Sequence, residues 1–403
     1  MSSSTRPADN YSPLYFLASL GAGGLSVSFF MYLFFWVPHP GVPVPTFEHI
    51  WAALTTGGAI QQAAILVAWI GIAVFVFLNL KYLVWNLRAF SAFRRTEAFE
   101  RLRNSNGETS ILAMPLALAM AVNGMFVAGL AFVPQLWSIV EYLFPFAMIA
   151  FLLIGLQALG YIGDFLGRVL AKGGLFDVTA HNSFAQLLPA FALAMVAVGF
   201  AAPAAMSHNT VIAGIALIGS TFFGFASVIY TVVAAITAFN SMLHHGTARE
   251  AGPTLMIVVP IMTVLGIMFL RQSHGMHVTF DAHSAPVETL VFLTRLMTVQ
   301  IIFLSLGLLV LRRQHYWNDF VFGSKTSPGS YALVCPGVAL SVMLHFWLNK
   351  GLVASGIVDK YSLAYLAISA IAVALQVAMI ALVVRLNRQH FGKSHPGAAV
   401  PAE

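Results

Sequence analysis

The chain has 403 residues, 59% hydrophobic and only 8% charged, against roughly 25% charged residues in an ordinary soluble domain, so water is not its main solvent. The formal charge of +6 comes from basic residues placed beside apolar runs, where they fix membrane orientation rather than bind nucleic acid. A single cysteine, Cys335, excludes an internal disulfide, a CxxC redox pair and any multi-cysteine zinc or iron–sulfur site.

The opening MSSSTRPADNYS has no short apolar core followed by a small-residue cleavage site, and residues 1–12 read as a disordered cytoplasmic tail. Long apolar runs then follow near 13–37, 62–87, 109–132, 136–160, 184–206, 209–239, 253–272, 288–311, 328–349 and 360–386. They predict one ten-helix transmembrane domain over 13–386, with 387–403 as a second cytoplasmic tail. Between the second and third runs, RAFSAFRRTEAFERLR carries Arg88, Arg94, Arg95, Arg101 and Arg103, which places that loop in the cytoplasm. By alternation Arg168, Lys172, Arg249, Arg312, Arg313, Lys325, Arg385, Arg388 and Lys393 fall on the same side, while Arg271, Lys350 and Lys360 fall opposite and Arg295 falls within a span. An even number of spans with both termini cytoplasmic, in a bacterial inner membrane, fits this distribution.

The odd-numbered spans share a pattern: AMPLALAMAVNGMF, LLPAFALAMVAVGF, VVPIMTVLGIMF and VCPGVALSVMLHF. Their prolines, Pro115, Pro189, Pro260 and Pro336, recur roughly 75 residues apart, the mark of an internal repeat. The first span joins the series when GLSVSFFMYL is laid over ALSVMLHFWL, which puts Gly21 at the proline position. Units spaced by two helices share one orientation and relate by rotation about the membrane normal. The expected fold is an all-α polytopic membrane protein whose ten helices form five hairpins in pseudo-fivefold order around a central pore. Proline or glycine in a span frees a carbonyl and kinks the helix, which suits a helix lining a cavity. Leu20, Met114, Leu188, Val259 and Cys335, each just before the kink, then form the expected constriction, a mostly apolar ring able to gate by dewetting.

At YALVCP, Tyr331 to Pro336, the chain resembles the tellurite-resistance/dicarboxylate transporter family, whose relatives include the plant slow anion channels, and within it the TsoY branch, which includes selenoproteins. The resemblance implies ten helices as five hairpins around a pore, a homotrimer, and passage of a small inorganic or organic anion. Similar channels close the pore with a phenylalanine where this chain has Cys335, so that gate does not carry over. Cys335 itself reads either as a small buried hydrophobe or as a pore thiol.

His345, on the Pro336 helix, is expected either to face the pore or to bond a neighbouring helix, and Asn123 is a second pore-polar candidate. Gln157, Gln186, Gln300 and Gln376 read as helix-to-helix hydrogen-bonding residues. Arg295 must pair, snorkel or face water. His274, His277, Asp281 and His283 in HGMHVTFDAH could hold a divalent metal, but their spacing matches no specific motif and a solvated loop is the expectation; no metal and no cofactor are predicted. The expected activity is an anion channel or secondary transporter, not an enzyme. The alternative is a membrane redox protein using Cys335 thiol chemistry or haem, although His181, His208, His244 and His245 lie near span ends and offer His345 no partner at similar depth.

Overall fold

The computed structural model describes residues 11–173, 177, 179–180, 182–280 and 285–391, without the side chains of 277–280, and among them every regular element is a helix. In chain order the α-helices are α1 (Phe16–Trp36), α2 (Phe47–Thr56), α3 (Ala59–Phe93), α4 (Glu97–Arg103), α5 (Ala113–Phe132), α6 (Leu136–Lys172), α7 (Leu188–Met206), α8 (Thr210–His245), α9 (Val258–Phe280), α10 (Pro286–Arg313), α11 (Val334–Phe346) and α12 (Leu363–Phe391). Ten helices are long and apolar enough to cross a membrane, as the sequence predicts; α2 and α4 are short connectors. Several spans outrun their apolar cores. α6 continues for 37 residues to Lys172, because its polar end is held by ion pairs that hydropathy does not register.

Five helices form the interior. α1 packs on α5, α5 on α7, α7 on α9, α9 on α11, and α11 returns to α1. Each of α3, α6, α8, α10 and α12 packs on the inner helix immediately before it among the spans. Burial separates the two sets: 94% of the most apolar stretch of Phe184–Met206 is buried, against 22% of that in Leu363–Phe391. Lipid is as apolar as leucine, so outer faces need no cover.

Each inner α-helix is preceded by a 3₁₀ segment: Pro13–Tyr15, Asn106–Leu112, Phe184–Leu187, Arg249–Met256 and Pro328–Leu333. Ser12, Ser105, Ser183 and Ser327 start four of them, each hydroxyl accepting the amide two residues on, from Leu14, Gly107, Ala185 and Gly329 at 3.2–3.3 Å. The segments touch one another in the same cyclic order as the inner helices. Cross-bonds reinforce this layer: Ala248 N donates to the Asn182 carbonyl (2.8 Å), Ser327 Oγ to the Glu250 carbonyl (3.3 Å), and the Tyr15 and Tyr331 rings meet at 6.4 Å.

The prolines of the repeat stand at the upper edge of this layer. Pro115, Pro189, Pro260 and Pro336 do not interrupt continuous α-helices; they stand in the first turn of α5, α7, α9 and α11, where a missing amide costs no intrahelical bond. Gly21 is different. It lies inside α1, and a Cβ there would come within 3.0 Å of Val334 Cγ1, so glycine is what lets α1 approach α11.

Ordered structure extends into both expected tails. Tyr11 is 6% exposed and its hydroxyl donates to Asn86 Oδ1 at 2.8 Å, so burial of its ring orders the last residues of the expected N-terminal tail. α12 runs past 386 to Phe391, where Tyr15 Oη lies 3.2 Å from His390 Nδ1. Residues 1–10 and 392–403 lie outside the described residues.

A cavity between the inner helices

A cavity of about 500 Å³ lies between the inner helices. Its walls are stripes spaced by three or four residues, the surface one face of a helix presents. α1 supplies Leu20, Gly24, Val27, Met31 and Phe34; α5 supplies Met120, Asn123, Val127 and Leu130; α7 supplies Phe191, Met195, Val198 and Ala202. α9 supplies Pro260, Val264, Ile267 and Arg271, and α11 supplies Cys335, Ala339, Val342 and Phe346, followed by Lys350 in the π-helical turn Trp347–Val353. The lining begins at Leu20, Pro260 and Cys335, just above the 3₁₀ layer, and extends to exposed Pro286 and His274 at the other end.

Not all of the expected constriction lines this space. Leu20 and Cys335 do, with Gly21 and Pro260 beside them, whereas Met114, Leu188 and Val259 are buried and absent from the lining, as are Pro115, Pro189 and Pro336. The 3₁₀ winding of about three residues per turn sets the junction residues out of register with the α-helical stripe above them. Phe191 and Met120 occupy the lower wall on α7 and α5 instead.

Asn123 lines the cavity, its Nδ2 donating to the Ala119 carbonyl at 3.0 Å. His345 does not. It is 1% exposed, its ring 5.8–6.4 Å from those of Tyr32, Phe35 and Trp36, and its Nδ1 has no hydrogen-bond partner. Gln300 and Gln376 bond neighbouring helices, Gln300 Nε2 to Thr263 Oγ1 (2.6 Å) and Gln376 Nε2 to Ser28 Oγ (2.9 Å). Arg295 is exposed on α10. Among the described residues no group of three or more histidine, cysteine, aspartate or glutamate side chains could hold a metal; Asp281, His283 and the His277 side chain lie outside them.

The sequence reading missed the two cations on the wall. Arg271 Nη1 donates to the Val198 carbonyl at 3.0 Å, and no carboxylate pairs with it among the described residues. Pro203, in the same stretch of α7, has no amide to offer the Gly199 carbonyl, so the turn beside Val198 lacks one intrahelical bond. Lys350 Nζ lies 5.9 Å from the centre of the Phe34 ring. Among the described residues no aspartate or glutamate lines the cavity, and Asn123, Thr263, Ser273 and Thr289 add neutral polar groups to a mostly apolar wall. The signal was present in spacing: Arg271 continues the stripe from Pro260, and Lys350 the stripe from Cys335.

At the opposite end, Glu108 in the second 3₁₀ segment is 4% exposed and pairs with two arginines. Arg103 Nε lies 3.0 Å from its Oε1, and Arg168 Nη2 also binds the carboxylate. Arg168 Nη1 donates to the Arg103 carbonyl at 2.9 Å and Arg103 pairs with Asp164 on α6. These cations, read from sequence as orientation signals, thus also clamp α6 to the 3₁₀ layer. Compared with known proteins, the chain matches no protein-family model and no curated relative.

Proposed function

We propose that this protein moves an anion across a membrane through the space between its inner helices. The observation that carries the reading is the cavity wall: Arg271 and Lys350 bring positive charge, and among the described residues no lining residue is an acid. In a low-dielectric cavity an unpaired cation attracts an anion far more strongly than in water. Five contacting inner helices, each with an outer companion, support the arrangement of five hairpins in pseudo-fivefold order around a conduit. The 3₁₀ layer then forms its closed end.

The lysine and arginine distribution in the sequence favours cytoplasmic termini in a bacterial inner membrane, which would open the cavity outward. An anion entering from outside would meet Lys350 and Arg271 before reaching Cys335. Among the described residues no carboxylate on the wall offers a proton relay, which favours facilitated movement over proton-coupled pumping. Whether the chain acts as a channel or as a carrier rests on the same site.

The test is anion flux in proteoliposomes with chloride, nitrate, sulfite and malate, comparing wild type with Arg271→Gln and Cys335→Phe. Flux that falls in Arg271→Gln and stops in Cys335→Phe supports the conduit. No flux of any anion in the wild type overturns it.

A further inference from the structure

We propose that the anion this cavity takes is amphipathic, a carboxylate on an apolar body, with its charge at Arg271 and its body in a side lobe between α5, α6 and α7. The inference rests on the anion-conduit reading and names the substrate class of that same site.

The cavity is not a symmetric tube. Of the outer helices, α3, α8 and α12 contribute nothing to its wall and α10 only Pro286 and Thr289 from its first turn. α6 alone contributes a long stripe, Trp137, Val140, Phe144, Ala147 and Phe151. The space therefore widens between α5 and α7 until α6 closes it, and every side chain that α6 presents there is apolar. At one point α6 closes the lobe by packing directly on the backbone of α7. The Phe151 ring occupies the place a Cβ would take on Gly199.

Arg271 borders this lobe. Its guanidinium is bonded to the carbonyl of Val198, the residue next to Gly199, and no other acceptor among the described residues holds it. The remaining donors of the planar fork are free to take a carboxylate in bidentate geometry. A cationic fork thus sits against an aromatic-walled apolar recess.

A small inorganic anion would use only the fork. It gains nothing from phenylalanine and tryptophan side chains and is costly to strip of water there. One water molecule occupies about 30 Å³ in the liquid, so a cavity of about 500 Å³ far exceeds a single ion and falls in the range of pockets that bury organic molecules. Aromatic walls favour an aryl or compact alkyl body, packed offset or edge to face. Because α6 closes the lobe and the lining extends to exposed residues at one end, the ligand is a water-soluble acid that enters from there.

The experiment is isothermal calorimetry on the full chain in lipid nanodiscs, with phenylacetate, acetate and 2-phenylethanol as probes and empty nanodiscs subtracted. Wild type is expected to bind phenylacetate at least about tenfold more tightly than either of the others, because only phenylacetate uses both fork and lobe. Arg271→Gln should bring phenylacetate down to the level of 2-phenylethanol, and Arg271→Lys should restore part of the difference. Ala147→Phe, which fills the lobe from α6, should weaken phenylacetate and leave acetate unchanged. If wild type binds acetate as well as phenylacetate, the inference is overturned even if every variant misfolds. Flux of chloride, malate and phenylacetate in the same preparation separates the two claims. Flux without phenylacetate preference sinks this inference and keeps the conduit; phenylacetate binding without flux of any anion does the reverse.

Discussion

Arg271 on α9 reaches across to the carbonyl of Val198 on α7, and that 3.0 Å bond is the guanidinium's hold on the protein. A carbonyl offers a partial charge, so the cation keeps most of its field for whatever occupies the cavity. Replacing it with glutamine should therefore damage transport more than folding. We expect Arg271→Gln to lower anion flux about tenfold or more while changing stability by no more than about 1 kcal/mol, since removing an uncompensated charge relieves a desolvation cost. Flux assays and thermal unfolding of one preparation check both halves. A large loss of stability with normal flux would make Arg271 a structural residue.

Glu108 presents the contrary case. It is buried between Arg103 and Arg168, so Glu108→Gln leaves two cations facing a neutral amide. The expected cost is about 2–3 kcal/mol, below that of a fully buried pair because the arginines are partly exposed and Arg103 keeps Asp164. Thermal unfolding in detergent measures it. Restoring charge with Glu108→Asp should recover part of the loss.

Cys335 is the chain's only cysteine and lies on the cavity wall, which makes it a chemical depth gauge. A negatively charged, membrane-impermeant thiosulfonate added from the open end should label Cys335 and block flux, while Cys335→Ser should conduct and resist the reagent. Labelling by mass spectrometry provides the independent readout. If the thiol stays unlabelled in folded protein, the cavity does not reach it from water.

His39, after α1, tests the charge of the cavity's open end. Burial, the Val37 carbonyl 2.8 Å from Nδ1, and the nearby charges of His49, Lys350 and Lys360 act on it together. The carbonyl favours the charged ring, but burial and like charge prevail and hold its pKa below the usual 6.5. A lowered folded-state value contributes stability that is present above 6.5 and lost as pH falls through the lower value. Thermal stability should therefore drop on acidification below about pH 6.5, and the drop should shrink in His39→Asn. An unchanged pH profile in that variant would remove His39 from the account.

The ten spans were legible because hydrocarbon tolerates only long apolar helices, and no tertiary knowledge is needed to see them. The repeat was legible too, through its four prolines. Their role was not, since a proline at a 3₁₀-to-α junction and a proline in a mid-helix kink have the same flanks in sequence. Ser12, Ser105, Ser183 and Ser327 marked the junctions, but serine is common and its cap is visible only with the backbone in place. Arg271 and Lys350 read only as cations on the side opposite the cytoplasm, because the sequence shows that a helix has a stripe without showing which stripe faces inward. Tyr11 was lost among polar neighbours, and its order comes from Asn86, distant in sequence. The side lobe was beyond reach for the same reason: nothing local tells that α6, among the outer helices, completes an inner wall.

The 3₁₀ layer has a mechanical consequence. Its segments are short, their hydrogen bonds are poorer than those of an α-helix, and part of their satisfaction comes from serine hydroxyls that accept backbone amides and can rotate away from them. Rearranging that layer would leave the α-helical ladders of α1, α5, α7, α9 and α11 intact, so its cost is set by a few caps and cross-bonds rather than by unwinding a span. Amide exchange at Leu14, Gly107, Ala185 and Gly329 should accordingly run ahead of exchange in the helices they precede, and faster still while substrate is passing.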